Sequence, residues 1–282
     1  MPFIEVTTEG SAELETFTNS VIDHLRSDPK EGFWKCKAAF RTLLETPFLK
    51  AVGDGFMKEM LSKPERPAAQ WQVDHLPLIQ NPQFGLNVSW ALEAIPHEST
   101  IPSHGAHVMM CLLGQEGAVA DMYALPDVDL EVFEKGASLT YSHQMALPPG
   151  EIVEIDGGDW AADIQPKAGT CMIMFVTAPL WTQIWSFDRI SKVAFSVSAS
   201  SQEITQIKET LGILRRFKHR DAASTVARLC THPCHDIRWE AIKTLGVLDA
   251  PMAVERLLVA KSDPHPHVRA AATRMLSTIE AQ

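Results

Sequence analysis

The spacing of apolar residues changes twice along the chain. Near the N-terminus, apolar residues recur every three or four positions, as in Leu14, Phe17 and Val21, which predicts amphipathic α-helices. From about residue 70 the period approaches two and the apolar runs become short, which predicts β-strands. After Ser201 the helical period returns. The pattern therefore predicts a β region between two helical regions.

We place the boundaries of these predicted regions at 1–69 for an N-terminal helical cap, 70–200 for a β-barrel and 201–282 for helical repeats. Charge supports the second boundary. Residues 202–282 carry 12 Lys and Arg against 9 Asp and Glu. The whole chain carries 25 against 35, so the preceding residues carry 13 against 26. Such an asymmetry favours separate domains with different surfaces.

Gly and Pro separate the predicted strands of the middle region, for example at Pro148-Pro149-Gly150. The predicted strands span 84–95, 106–113, 117–124, 138–146, 150–156, 169–177, 180–187 and 191–199. Many short strands with turns at this spacing are typical of a β-sandwich or β-barrel, and not of a sheet that alternates with helices.

The last region contains an internal repeat. The segment from Ile237 to Leu245 aligns with the segment from Val268 to Leu276 at an offset of 31 residues, and a proline-containing turn precedes each copy. This pattern resembles HEAT repeats, in which each helix pair buries its apolar face against the next pair. A plain helical bundle is the alternative.

The composition narrows the class of protein. The chain of 282 residues is 45% hydrophobic and 21% charged, as in soluble globular proteins. It has no uninterrupted apolar run long enough to span a membrane, and its acidic N-terminus lacks the features of a signal peptide. Five scattered cysteines favour reduced thiols. We therefore expect a cytoplasmic protein that binds no membrane. The basic cluster at 215–220 is interpreted as a solvated face, so nucleic acid is not an expected partner.

A histidine opens one of the predicted strands. The sequence Ile101-Pro-Ser-His104-Gly precedes an apolar run from Val108 to Leu113. A small β-barrel places a metal ligand at its mouth in this way, with an imidazole at the start of an apolar strand. The segment therefore makes His104 the leading candidate for a functional residue.

Residues 70–180 resemble the cupin fold, and within it the cysteine dioxygenase-like thiol dioxygenases. The similarity lies in the strand from Phe84 to Trp90, the His104 motif and the strand from Cys171 to Thr177. It also includes the turn from Leu147 to Gly150 and the strand that follows. The resemblance implies a jelly-roll barrel, so the expected fold class is α+β: a cupin-type β-barrel with N-terminal helices and a C-terminal all-α HEAT-like repeat domain.

The metal motif of that family is degenerate in this chain. The resemblance implies three histidines on iron, two of them in a His-x-His pair. Here the pair reads Pro102-Ser-His104, and the third position falls on Ala162. A family run of serine, histidine and tyrosine falls on Met172, Met174 and Val176. The substrate-binding arginine falls near Asp74-His75, which reverses the charge. Oxidation of cysteine is therefore not expected.

A different metal site is a second possibility. Two histidines and one carboxylate suit Fe(II) or another divalent metal, and His104, His107 and Asp163 (or Asp159) supply these groups, with His143 as a further candidate. The objection is that His104 and His107 are three residues apart, which places them on opposite faces of a regular strand. The alternative is that His107 is a polar residue at the barrel rim with its hydrogen bonds satisfied.

Apolar residues of the predicted strands are candidates for a substrate pocket in the barrel. We predict that this pocket is lined by Trp90, Met109, Cys111, Met172, Met174 and Val176. Methionine adapts to irregular apolar ligands, but it also fills protein cores. Both interpretations remain open.

Two functions follow from these observations. The first is a divergent cysteine dioxygenase-like cupin that binds a small, mainly apolar molecule. With one bound metal ion it would be a non-haem iron dioxygenase-like oxidoreductase that acts on a biosynthetic intermediate. The second is a metal-free, non-catalytic sensor or scaffold whose HEAT-like repeats bind a protein partner. The sequence assigns no catalytic residue, and whether the chain is an enzyme stays open.

Overall fold

A computed structural model describes residues 5–6, 11–26, 29–62, 75–91 and 100–281. The chain divides into two compact units. The first unit comprises 1–126, 137–180 and 186–194, and the second comprises 127–136, 181–185 and 195–282. The first unit thus combines the N-terminal helices with most of the strands, and the second contains the C-terminal helices.

Helices of the first unit follow the predicted apolar spacing. They are α1 (Ala12–Leu25), α2 (Pro29–Lys35), α3 (Lys37–Leu44) and α4 (Phe48–Ser62). Helix α1 begins after Ser11, whose hydroxyl accepts a hydrogen bond from the backbone N–H of Leu14 at 3.4 Å. Such a cap satisfies one of the free N–H groups at a helix start. The buried face of α1 includes Leu14, Phe17 and Val21, as the sequence predicted.

The strands pair antiparallel in three sheets. They are β1 (Glu5–Val6), β2 (His75–Gln80), β3 (Phe84–Trp90), β4 (Thr100–Pro102), β5 (Val108–Leu113), β6 (Ala118–Ala124), β7 (Thr140–Leu147), β8 (Ile152–Ile155), β9 (Trp160–Gln165), β10 (Cys171–Thr177), β11 (Gln183–Asp188) and β12 (Ala194–Ala199). A long sheet has the order β1-β2-β3-β10-β5-β8, a short sheet has the order β7-β6-β9, and β12-β11-β4 form the third. N-terminal helices, antiparallel sheets in the middle and C-terminal helices confirm the predicted α+β class.

Four of these strands were absent from the prediction. Strands β1, β2, β4 and β9 lie where the sequence is interrupted by proline or by charged residues. The predicted strand at 84–95 corresponds to β3, and its end lies outside the described residues.

The outer face of the long sheet packs on the N-terminal helices. Phe175 of β10 is fully buried, and its ring centroid lies 5.2 Å from that of Phe17 and 4.7 Å from that of Phe33. Contacts of this kind between aromatic rings stabilise a core beyond the burial of their area. The helical cap is therefore part of the core of the first unit.

The opposite, inner face of the long sheet packs against the short sheet. Between them lies an apolar group that we call the inter-sheet cluster. It contains Val108, Met110, Leu112, Ala120, Met122, Leu147, Ile155 and Ala162, with Met145, Trp160, Met172, Met174 and Val176 partly buried against it. Facing antiparallel sheets around an apolar interior agree with the predicted barrel.

The second unit contains α5 (Gln202–Phe217), α6 (Ala223–Leu229), α7 (His235–Leu248), α8 (Ala250–Ala260) and α9 (Pro266–Glu280), with a short 3-10 helix at Arg220–Ala222. Helices α7 and α9 contain the two copies of the predicted repeat. The guanidinium of Arg238 donates to the backbone carbonyls of His232 and Pro233 at 2.9 and 2.8 Å. Equivalent Arg269 donates to the carbonyls of Asp263 and Pro264 at 2.6 and 2.8 Å. The two copies thus share one turn structure.

Among the described residues, no helix combines the length and the apolar character that a membrane span requires.

Candidate functional site

Solvent reaches the inner face of the long sheet at its centre. Along β10, Ile173 and Phe175 on the outer face have no exposed area. The inner-face residues that alternate with them, Met172, Met174 and Val176, are half-buried. A core strand that is sealed on one face and accessible on the other borders an open space. The interior is therefore accessible along β10, while the inner-face residues Met110 and Leu112 of β5 are buried.

Strand register identifies the other residues on this inner face. Met174 lies opposite Asn87 of β3 and Met110 of β5. Met172 lies opposite Ser89 in the same way. Directly paired residues point to the same face of a sheet. The inner-face positions of β3, β10 and β5 are thus Gly85, Asn87, Ser89, Val108, Met110, Leu112, Met172, Met174 and Val176.

Two uncharged polar side chains lie on the β3 part of this face, next to His75 of β2. Asn87 and Ser89 are half-buried, and the hydroxyl of Ser89 lies 3.1 Å from Nδ1 of His75. None of the inner-face positions of β3, β10 and β5 carries an ionisable acid or base. Small-molecule sites are typically concave and apolar with a few polar groups. This face has that composition.

His104 follows β4, and its two ring nitrogens have different surroundings. One nitrogen hydrogen-bonds the backbone carbonyl of Ala162, which fixes that nitrogen as a donor. Among the described residues, no group hydrogen-bonds its Nε2, although that atom is buried. Burial lowers the pKa of His104, and the bond to Ala162 opposes this only in part. The ring is therefore neutral at pH 7.

His107 has other partners. Its Nδ1 lies 2.9 Å from a carboxylate oxygen of Asp156, and its ring centroid lies 5.3 Å from that of Trp34. Burial lowers the pKa of His107, and the charge of Asp156 opposes this. Asp156 is also 3.2 Å from the ammonium of Lys30. These contacts hold His107 beside Asp156 and Trp34 and give it partners different from the Ala162 carbonyl that His104 contacts.

The remaining metal candidates also lie apart. Asp163 is buried and forms an ion pair with Arg189 at 2.5 Å. It alternates in β9 with Ala162, whose side chain belongs to the inter-sheet cluster, so the two side chains point to opposite faces. His143 is exposed on β7, where it pairs with Met122 of β6 on the inner face of the short sheet, and its ring centroid lies 5.7 Å from that of Trp160.

The part of the chain that is described contains no group of three or more His, Cys, Asp or Glu placed to hold a metal ion. A mononuclear non-haem iron centre needs three converging donors of this type. His104, His107 and Asp163 each bind a different partner, so these three residues do not fit the Fe(II) or other divalent metal that the resemblance implied. We derive no chemistry from such a metal.

The structure divides the residues predicted for the pocket between two faces. Met172, Met174 and Val176 lie on the inner face, as described above. Met109 and Trp90 pack with the N-terminal helices, and Cys111 lies opposite outer-face Ile173. Burial raises the pKa of the Cys111 thiol, so it is not a reactive nucleophile. Sequence analysis did not separate inner-face from outer-face residues of β5 because that strand is apolar on both faces. Its sequence therefore does not reveal which methionine points inward.

Sequence analysis missed the inner-face residues Met110, Asn87 and Ser89. The alternation of Asn87 and Ser89 with apolar Leu86 and Val88 is a signal that was present in the sequence. Polar residues at every second position of a buried strand mark the face that meets water or a ligand.

Comparison with known proteins identifies the C-terminal region. Residues 200–280 match the family model of HEAT repeats, which confirms the predicted repeats. No curated protein matches the chain.

Two solved structures are similar to parts of the chain. The hydroquinone 1,2-dioxygenase from Sphingomonas sp. TTNP3, with 4-hydroxybenzoate bound, has 10% identity and a TM-score of 0.29, covering 40% of this chain and 71% of that chain. The DMSP lyase DddQ from Ruegeria pomeroyi DSS-3 has 14% identity and a TM-score of 0.26, covering 46% of this chain and 62% of that chain. Both likenesses are too weak to carry an argument about function.

Proposed function

We propose that the first unit binds a small, uncharged, mainly apolar molecule between its long and short sheets, and that the HEAT repeats bind a protein partner. In this proposal the β region is a divergent cysteine dioxygenase-like cupin that has no metal-dependent activity. The observation that carries it is the half-buried inner face of β3 and β10 around Met174, where no position has an ionisable side chain.

The chemistry of this face favours an apolar ligand. Methionine side chains are unbranched and polarisable, so they adapt to ligands of irregular shape. Each Å² of apolar surface that is removed from water contributes about 25 cal/mol of favourable free energy. A charged ligand would lose its hydration without gaining a counter-charge on β3, β10 or β5, which is costly. Free cysteine, a zwitterion, is therefore a poor ligand for this face.

Binding of a neutral aromatic compound tests this proposal. We would titrate the purified chain with para-ethylphenol by calorimetry, in buffer with EDTA. Met174→Trp fills the space between the sheets, and we expect it to weaken binding at least about tenfold, equivalent to about 1.4 kcal/mol. The matched control is Met57→Trp on α4, because Met57 is 57% exposed.

Two results would contradict the proposal. One is an affinity for para-ethylphenol that is equal in the wild type, Met174→Trp and Met57→Trp. The other is tighter binding of para-ethylbenzoate, the charged analogue, than of the phenol.

Exposed apolar residues on α5 support the proposal that the HEAT repeats bind a protein partner. Ile213 and Phe217 lie one helical turn apart and are 56% and 76% exposed. Arg216, Lys218 and Arg220 flank them, and no ion pair to these cations occurs within the described residues. Exposed apolar residues between free cations suit a protein surface with apolar and acidic groups.

Site-specific photo-crosslinking in the source cells tests this surface. A photoreactive amino acid in place of Phe217 is expected to give one dominant protein adduct, and the same amino acid in place of exposed Thr205 on α5 is expected to give none. Equal adducts from both positions would contradict a specific partner at this surface.

We also propose a cytoplasmic setting for the protein. It is supported by the free cysteines Cys36, Cys111, Cys171, Cys230 and Cys234.

A further inference from the structure

The hydrogen-bonding role of His104 is set by its own surroundings. A neutral imidazole has one N–H donor and one nitrogen that accepts through its lone pair. The carbonyl of Ala162 can only accept, so the nitrogen that faces it carries the hydrogen. The other nitrogen, Nε2, is then an acceptor.

That acceptor is unpaired and buried. No group of the described residues donates to Nε2, and leaving a buried polar atom without a partner is unfavourable. Because the two ring nitrogens point in different directions, Nε2 is directed away from the backbone of β9. Ala162 itself belongs to the inter-sheet cluster. The ring of His104 therefore lies next to β9, at the edge of the inter-sheet cluster.

We infer that the molecule bound between the sheets carries a neutral hydroxyl group, as in an alcohol or phenol, which donates a hydrogen bond to Nε2 of His104. This inference rests on the proposed function. The remainder of the molecule is apolar and contacts the methionines of the inter-sheet cluster. Met110, Met122, Met172 and Met174 have several rotamers, so they can open a path to the buried nitrogen.

Three compounds of similar size test the inference: para-ethylphenol, its methyl ether and para-ethyltoluene. The ether keeps the oxygen but has no hydrogen to donate, and the toluene has neither. We expect the phenol to bind at least about tenfold more tightly than either, because it alone pairs the buried acceptor. The titrations use the full chain in buffer with EDTA, so that no metal ion competes for Nε2.

A variant and a spectroscopic signal complete the test. His104→Phe is expected to remove the preference for the phenol, while His219→Phe, at an exposed histidine of the second unit, is expected to keep it. In wild-type protein labelled with nitrogen-15, the Nε2 signal of His104 is expected to shift with the phenol and not with the ether. This readout needs no variant, so it holds even if His104→Phe fails to fold.

The outcomes separate the inference from the proposed function. Binding of none of the three compounds overturns the proposed function. Equal binding of phenol and ether, or a preference for the phenol that survives in His104→Phe, overturns the inference and leaves the proposed function standing.

Discussion

The imidazole rings of His235 and His265 stack in parallel, with centroids 3.6 Å apart and an angle of 5° between their planes. Both side chains are buried in the second unit. Burial, together with the charge that His265 can carry, lowers the pKa of His235. The ring of His267 lies 5.2 Å from that of His265.

This stacking predicts a loss of stability in mild acid. A histidine with a lowered folded-state pKa takes up a proton more readily in the unfolded chain, so stability is unaffected above the ordinary pKa of about 6.5 and falls as the pH drops below it. Thermal unfolding between pH 7.5 and 5.5, roughly one unit either side of that value, measures the slope. We expect His235→Phe to reduce the slope and His143→Phe to leave it unchanged. A slope that His235→Phe does not change would contradict this explanation.

The turn between the HEAT repeats depends on a buried ion pair. Arg238 donates from two nitrogens to the carboxylate of Asp263 at 2.8 and 2.6 Å, and both side chains are at most 10% exposed. Arg238→Met leaves this carboxylate buried without its counter-charge, and we expect a loss of about 3–5 kcal/mol in the free energy of unfolding.

Arg269→Met is the matched control, because within the described part of the chain Arg269 donates to backbone carbonyls and to no carboxylate. We expect a loss of about 1 kcal/mol there. Equal losses in the two variants, measured by urea unfolding, would show that the ion pair is not the source of the effect.

Two glycines provide a second matched pair. A Cβ on Gly157 would lie 1.9 Å from the carbonyl oxygen of Ala106, whereas a Cβ on Gly53 in α4 would meet nothing within 4 Å. We expect Gly157→Ala to destabilise the first unit by more than about 2 kcal/mol, because the backbone at Ala106 or Gly157 must move to make room for the methyl group. Gly53→Ala should stabilise the helix by up to about 1 kcal/mol. Thermal unfolding of both variants measures the difference in their stability. Similar unfolding midpoints for the two variants would contradict this prediction.

Asp163 is expected to be structural. Arg189→Met removes its counter-charge, which we expect to cost about 3 kcal/mol in stability because a buried carboxylate remains unpaired. Arg189→Met combined with Asp163→Asn is expected to recover part of this loss. If Asp163 were instead a metal ligand, Asp163→Asn alone would lower the metal content of protein purified without chelator, as measured by elemental analysis.

The sequence predicts the structure of some parts of this molecule better than that of others. The HEAT repeats were predictable because the copies that begin at Ile237 and Val268 keep the same spacing of apolar residues and arginine. In β5 the adjacent Met109 and Met110 face opposite sides, and only the register with β10 tells them apart. A run that is apolar on both faces contains no periodic signal.

The metal hypothesis illustrates a second limit of sequence reasoning. The spacing of His104 and His107 is compatible with a shared metal only if a turn reverses one side chain. Gly105 does adopt a positive φ of 63°, yet Asp156 and Trp34 hold His107 elsewhere. These partners come from other elements, and local spacing does not predict them.

Labelling of the methionine methyl groups tests the central claim most directly. We would titrate the chain with para-ethylphenol and follow the methyl NMR signals, assigned by single substitutions. The account predicts shifts at the inner-face residues Met110, Met172 and Met174, and none at outer-face Met109 or exposed Met57. Shifts at Met109 or Met57 without shifts at Met174 would contradict a ligand site between the sheets.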